Sequence, residues 1–103
     1  MSRLTTIKVE KNHNYTVMSN YHLRDKRLSL KAKGLMSFML SLPPDWDFSV
    51  MGLASCLTES KNTISKILNE LIECGYMERT QERQGKLFNG YSYKLHELSC
   101  RKN

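Results

Sequence analysis

Apolar residues recur along this chain in three helical stripes and then change to strict alternation. Leu35, Phe38, Met39 and Leu42 fall at i, i+3, i+4 and i+7, one face of a first helix. Ser29 is placed to cap its start, and Pro43-Pro44 stops it, because proline offers no N–H and pushes its predecessor out of helical backbone. Asp45, Trp46, Asp47 and Phe48 form a short connector whose aromatics are expected to seal the core. Ser49 caps a second, short helix, with Phe48 and Leu53 at the two staple positions and Met51, Ala54 and Leu57 as its inner face. Thr58-Glu59-Ser60 reads as a turn, and Ser60 caps a third helix. There Ile64, Ile67, Leu68, Leu71 and Ile72 make the cleanest stripe in the chain. Gly75 stands where a left-handed residue ends a helix, and Tyr76 is expected to pack back on Leu71.

Beyond Gly75 the period becomes two. Tyr76 to Gln84 and Tyr91 to Leu98 predict paired strands, with Tyr91, Tyr93 and Leu95 on one face. Two turn signals lie between them, Gln84-Gly85 and Asn89-Gly90, of which Asn-Gly is the stronger two-residue hairpin signal; the pattern does not choose between them. At the other end, Thr5, Ile7 and Val9 alternate with polar neighbours, as do Tyr15 and Val17, which predicts a hairpin or two short strands around the polar stretch Glu10 to Asn14. The expected organisation is an N-terminal arm or strand over 1–12, one domain over 13–98, and a loose polar tail over 99–103.

Charge adds a direction to this plan. The chain of 103 residues has a net charge of +6, which puts a polyanion first among candidate partners. Residues 1–33 carry eight basic and two acidic side chains, 34–60 none and three, and 61–103 eight and five. Two basic segments thus flank an acidic, apolar middle. Cys56, Cys74 and Cys100 form no CxxC pair and are not set with His13, His22 or His96 as a zinc motif, so neither a disulfide framework nor a metal site is expected. Cys56 and Cys74 fall in helical patterns and read as small buried hydrophobes. The polar start and the lack of a long apolar run exclude a signal peptide and a membrane span and point to the cytoplasm.

Helix, connector, short helix, tight turn, longer helix, hairpin is the order of a winged helix-turn-helix: an α+β fold with a three-helix core, a C-terminal β-hairpin wing and an N-terminal strand or hairpin. The functional element is then Val50 to Cys74, which holds the third helix for a DNA major groove. Thr58 stands where that turn often carries glycine. On the third helix, Lys61, Asn62, Thr63, Ser65, Lys66 and Asn69 remain once the apolar stripe is removed, with Ser60 at the cap and no acid before Glu70. Amides and hydroxyls read base edges, and lysines hold phosphates or guanines. The same residues also suit the solvated side of an ordinary core helix. Arg79, Arg83 and Lys86 place a basic wing beside the backbone or in a minor groove, diluted by Glu78 and Glu82. The run Arg24, Lys26, Arg27, Lys31 and Lys33 is either a second phosphate strip or a solvated approach to the first helix.

The stretches LRDKRLSLKAKGLMSFMLSLPPDWDFS and LASCLTESKNTISKILNELIECGYMER resemble, over residues 13–97, a winged-helix domain of Gram-positive bacteria, their phages and mobile elements. That domain stands at the N-terminus of replication initiators and replisome organisers, including relatives of the primosomal DnaD group. The resemblance implies double-stranded DNA as partner, a role in replication initiation or transcription control, and recognition by Lys61, Asn62, Thr63, Ser65 and Lys66. A homodimer or other replication proteins would be further partners, and no cofactor is implied. The competing reading is a winged-helix assembly module without strong DNA affinity, presenting Leu87, Phe88 and Tyr91. An enzyme is not expected, because no converging acid–base pair and no glycine-rich phosphate loop is present.

Overall fold

The computed structural model describes residues 14–43, 49–84 and 87–100, with the backbone alone described over 82–84 and 87–90. A single 3-10 turn, His22–Arg24, leads into α1 (Leu30–Leu40), α2 (Val50–Cys56) and α3 (Lys61–Glu73), followed by β1 (Met77–Gln84) and β2 (Leu87–Leu95). Each α-helix starts at the serine the sequence offers as its cap. Ser29 Oγ accepts from Ala32 N–H, Ser49 Oγ from Gly52 N–H, and Ser60 Oγ from Thr63 N–H. Each hydroxyl satisfies one amide that the first helical turn leaves without a partner.

The core forms where three elements meet α3. Ile64, Ile67, Leu68 and Leu71 are buried against Ala32, Leu35, Met36 and Met39 of α1, Leu53 of α2, and Tyr76 and Met77 at the start of the hairpin. On α2 the inward residue is Leu53, while Met51 is 68% exposed, which corrects the expected inner face. Val50, Leu53, Ala54 and Leu57 are the residues at i, i+3, i+4 and i+7, and all four contribute to the core or its edge. Cys56, just off this stripe, is exposed, and Cys74 is half-buried, so neither is the fully buried small hydrophobe expected. The connector with Trp46 and the staple partner Phe48 lies outside the described residues.

The α2–α3 turn does not need the glycine that Thr58 replaces. Among the described residues only Asn14 is a non-glycine with positive φ, and α2 leaves through an extended Leu57. At the far end of α3, Gly75 has φ 85°, Gly75 N–H donates to Ile72 C=O, and Tyr76 N–H donates to Leu71 C=O at 2.9 Å. This completes the expected Schellman closure.

β1 and β2 form an antiparallel hairpin with Met77 opposite Leu95, Arg79 opposite Tyr93 and Gln84 opposite Leu87. The connection therefore falls at the Gln84-Gly85 signal. Asn89-Gly90 lies inside β2, where the register shifts between Gln81 and Arg83 and one extra residue is accommodated. β2 also starts earlier and ends earlier than its alternation predicts. The expected N-terminal strand is not seen among the described residues: Tyr15 and Val17 are 71% and 88% exposed. With no apolar surface covering either side chain, alternation alone gives no reason to pair. The half around Thr5 to Val9 lies outside the described residues. The tail is not loose at its start, because Cys100 N–H donates to Gly75 C=O at 2.9 Å and Ser99 Oγ donates to Cys74 C=O.

Two polar connections lock the frame. Tyr76, fully buried, donates its hydroxyl to Asp25 Oδ2 at 2.6 Å, and the Arg27 guanidinium grips the same carboxylate through Nε and Nη2. Those donors hold the Asp25 carboxyl well below its usual range, and burial beside that carboxylate pushes the Tyr76 phenol upward. The second is a cap contributed across the fold. Glu70 of α3 accepts from Ser29 N–H at 2.6 Å and from Ser29 Oγ at 2.8 Å, tying α3 to the start of α1. Replacing Tyr76 with Phe removes a charge-assisted hydrogen bond and should cost about 1.5–3 kcal/mol. At about 4–8 °C per kcal/mol for a domain of this size, thermal denaturation resolves it. Ser29→Ala loses the cap on Ala32 N–H and the hydroxyl bond to Glu70 while keeping the backbone N–H bond to it, and should cost about 1–2 kcal/mol, with Glu70→Ala, which keeps the cap, costing less.

His22 is fully buried, and its Nε2 lies 2.9 Å from Ser37 Oγ, which donates its own proton to Lys33 C=O. The imidazole must therefore donate from Nε2, leaving Nδ1 as a buried atom without a partner among the described residues. Burial pushes the His22 pKa below its ordinary 6.5. Below that value the unfolded chain binds a proton that the folded chain refuses, so stability falls on acidification. Asp25 contributes its own loss only at lower pH, below its ordinary 3.8. Urea unfolding from pH 7 to about pH 5 should show falling stability in the parent protein and a flatter profile in His22→Gln.

Candidate nucleic-acid interface

The exposed side of α3 follows from its buried side. At 100° per residue, Ile64, Ile67, Leu68 and Leu71 occupy one arc, and Lys61, Asn62, Ser65, Lys66 and Asn69 fall together on the opposite one, about 140° wide. Lys61, Asn62, Lys66 and Asn69 are exposed, while Thr63 and Ser65 are half-buried. Ser60 is exposed but occupied: its hydroxyl caps Thr63 N–H and donates to Thr63 Oγ1 at 3.1 Å. The outward donors of the first three turns are therefore Lys61, Asn62, Lys66 and Asn69.

The acids on this helix are arranged so that its first half stays positive. Glu70 lies at the border of the exposed arc and is turned to Ser29. Glu73 is exposed on that arc only in the last turn. The helix dipole has the same sense, positive at the Lys61 end and negative at the Glu73 end. An anion approaching α3 therefore finds its best potential at the N-terminal half.

The approach to α1 adds to that surface. Lys31 lines a groove of about 260 Å³ together with Ser29, Thr63, Lys66, Ile67 and Glu70, so a cation of α1 stands over the same groove as Lys66 of α3. Sequence spacing gave Lys31 no rank within its basic run; the approach of two helices distinguishes it, and that requires the fold. Arg27, in contrast, is committed to Asp25 by a 2.7 Å ion pair. Arg24 and Lys26 are exposed and line a second cavity, of about 630 Å³, with Ser19, Asn20 and Tyr21.

Only part of the expected wing contact can be placed. Arg79 is exposed on β1, with its guanidinium 4.8 Å from the centre of the Tyr91 ring, and Tyr91 in turn lies 6.5 Å from Tyr93. This stacking pre-sets the Arg79 side chain and keeps its charge at the surface. Arg83 is in β1 but its side chain is outside the described set, and Lys86 lies outside the described residues altogether. Among the described residues no helix is long and apolar enough to cross a membrane.

No curated protein and no solved structure matches the chain significantly. Residues 26–77, half of the chain, match a family described as "Helix-turn-helix domain". That match begins beside Arg27, spans α1, α2 and α3, and ends at the first residue of β1, the same segment that builds the core and presents the polar arc. The chain is thus a member of the helix-turn-helix family.

Proposed function

We propose that this protein is a double-stranded DNA-binding module that lays the N-terminal half of α3 in the major groove. The observation that carries the reading is the outward-facing set Lys61, Asn62, Lys66 and Asn69, on a helix whose first acid, Glu70, is hydrogen-bonded to Ser29. Lys61 and Lys66 supply phosphate or guanine contacts, and Asn62 and Asn69 have the paired donor and acceptor that suit adenine. Ser65 lies half-buried within this arc and Thr63 borders it, and Ser60 acts through the cap rather than by direct readout. Lys31 joins from α1 as a further phosphate contact. Arg79, with Arg83 and Lys86 beyond it on the hairpin, serves the flanking backbone.

The resemblance to initiator and replisome-organiser domains supports a role in replication initiation or transcription control of a phage or mobile element, inside a bacterial cell. A single module of this size buries about 600–1,000 Å² on DNA, so a second copy or a second module supplies the affinity a lone domain lacks. The reading is of a binding module, not an enzyme.

Fluorescence anisotropy with a random-sequence duplex should give a log–log salt slope of several units, each phosphate contact contributing about −0.9. Lys61→Ala with Lys66→Ala should make that slope shallower by about two contacts' worth and weaken every duplex alike. After selection of a preferred site, Asn62→Ala should erase about 1–3 kcal/mol of discrimination at one base pair while leaving the salt slope unchanged. A salt-independent affinity, or a tight dimer in sedimentation that ignores duplex DNA, would replace this reading with that of an assembly module.

A further inference from the structure

The hairpin base carries a cluster that the DNA-binding surface does not use. Glu78 on β1, His96 just after β2 and Cys100 in the tail bring one carboxylate oxygen, one imidazole nitrogen and one sulfur to within 4.8 Å of one another. We propose that these three residues form a binding site for a divalent transition ion of the zinc class.

The donor set points to that class. Thiolate and imidazole are poor partners for magnesium or calcium, which take oxygen, and good partners for zinc and its neighbours. Tetrahedral bonds of about 2.0–2.3 Å place neighbouring donor atoms about 3.3–3.8 Å apart. His96 Nε2 and Glu78 Oε1 are already 3.2 Å apart, so two donors stand near that spacing and the sulfur needs a shift of about 1 Å.

The backbone holds the donors in place. His96 N–H donates to Tyr76 C=O at 2.7 Å, and Cys100 N–H donates to Gly75 C=O at 2.9 Å. Both ends of the five-residue segment are thereby fixed to the α3–β1 junction, where the Schellman closure fixes β1 itself. Glu78 lies diagonal to His96 on the face it shares with Lys94, its cross-strand partner, and its ion-pair contact among the described residues is with His96. Nε2 of His96 is shielded from solvent, and its approach to Glu78 does not have hydrogen-bond geometry. A shielded nitrogen without a proper hydrogen bond is costly in an ordinary fold and well used by a metal ion.

Sequence spacing alone gave no zinc motif, because the ligands are one from a strand and two spaced H-x-x-x-C across the hairpin's end. Only the antiparallel register joins them. On binding, the Cys100 thiol gives up its proton to solvent and the sulfur bonds as thiolate, with Glu78 ionised and His96 neutral. A fourth position stays open on the exposed side for water. The bound ion would clamp the tail onto β1.

The test uses the reduced full chain titrated with cobalt(II) as the optical probe, then with zinc to displace it. The expected result is one ion per chain with a thiolate-to-cobalt charge-transfer band in the near ultraviolet, bleached by zinc. Cys100→Ser should abolish the band. His96→Ala and Glu78→Gln should weaken cobalt binding, by at least about tenfold for the histidine. Cys56→Ser and Cys74→Ser should leave band and affinity unchanged. All three ligands are at the surface or its edge, and circular dichroism of each variant checks that the fold persists. Absence of the band in the parent protein, or its persistence in Cys100→Ser, overturns the proposal. Neither result bears on duplex binding, which is measured separately.

Discussion

Burial of one stripe on α3 is the constraint on which the rest of the molecule depends. Ile64, Ile67, Leu68 and Leu71 form the surface on which α1, α2 and the hairpin base all pack. Because that stripe is fully engaged, the orientation of the helix about its own axis is decided, and so is the side it shows to solvent. The polar arc from Lys61 to Asn69 is presented as a by-product of core packing. Stability and the candidate contact surface are therefore two sides of one element, and a change inside the stripe displaces the outward residues with it.

The polar connections complete what packing begins. A small domain buries a limited share of its surface, so interactions that remove freedom between distant parts of the chain carry weight. Asp25 and Tyr76 are fifty-one positions apart and joined by one short hydrogen bond. Ser29 and Glu70 are forty-one apart and joined by two. Each ties the approach to α1 to an end or side of α3, and each surrounds a carboxylate with close hydrogen-bond donors.

What was legible in the sequence was what is decided locally. Caps at Ser29, Ser49 and Ser60 depend on residues one turn away, and Gly75 with Tyr76 closes α3 within its last turn, so spacing alone revealed them. What required a partner elsewhere was less readable. Met51 and Leu53 are both apolar residues in one short helix, and only the docked orientation of α2 decides which turns inward. Tyr15 and Val17 have the rhythm of a strand, but among the described residues neither is covered by an apolar surface. Two turn signals competed for the hairpin connection, and the weaker one holds it because the register is set by Met77, Tyr93 and Leu95 at the core end. The candidate site divides in the same way: the α3 residues follow from periodicity, whereas Lys31 beside Lys66, and Glu78 beside His96 and Cys100, exist only once the chain is folded.

The left-handed step at Gly75 has a mechanical side. The helix ends, the chain reverses within two residues, and both Tyr76 and the first residue of β1, Met77, are buried, so α3 and the base of the hairpin pack into one core. On the proposed reading, helix and hairpin act as the two arms of a caliper. A duplex whose grooves do not match their spacing must bend or change its groove width to touch both arms. Such selection acts through the stiffness of the DNA, at base pairs that no side chain contacts.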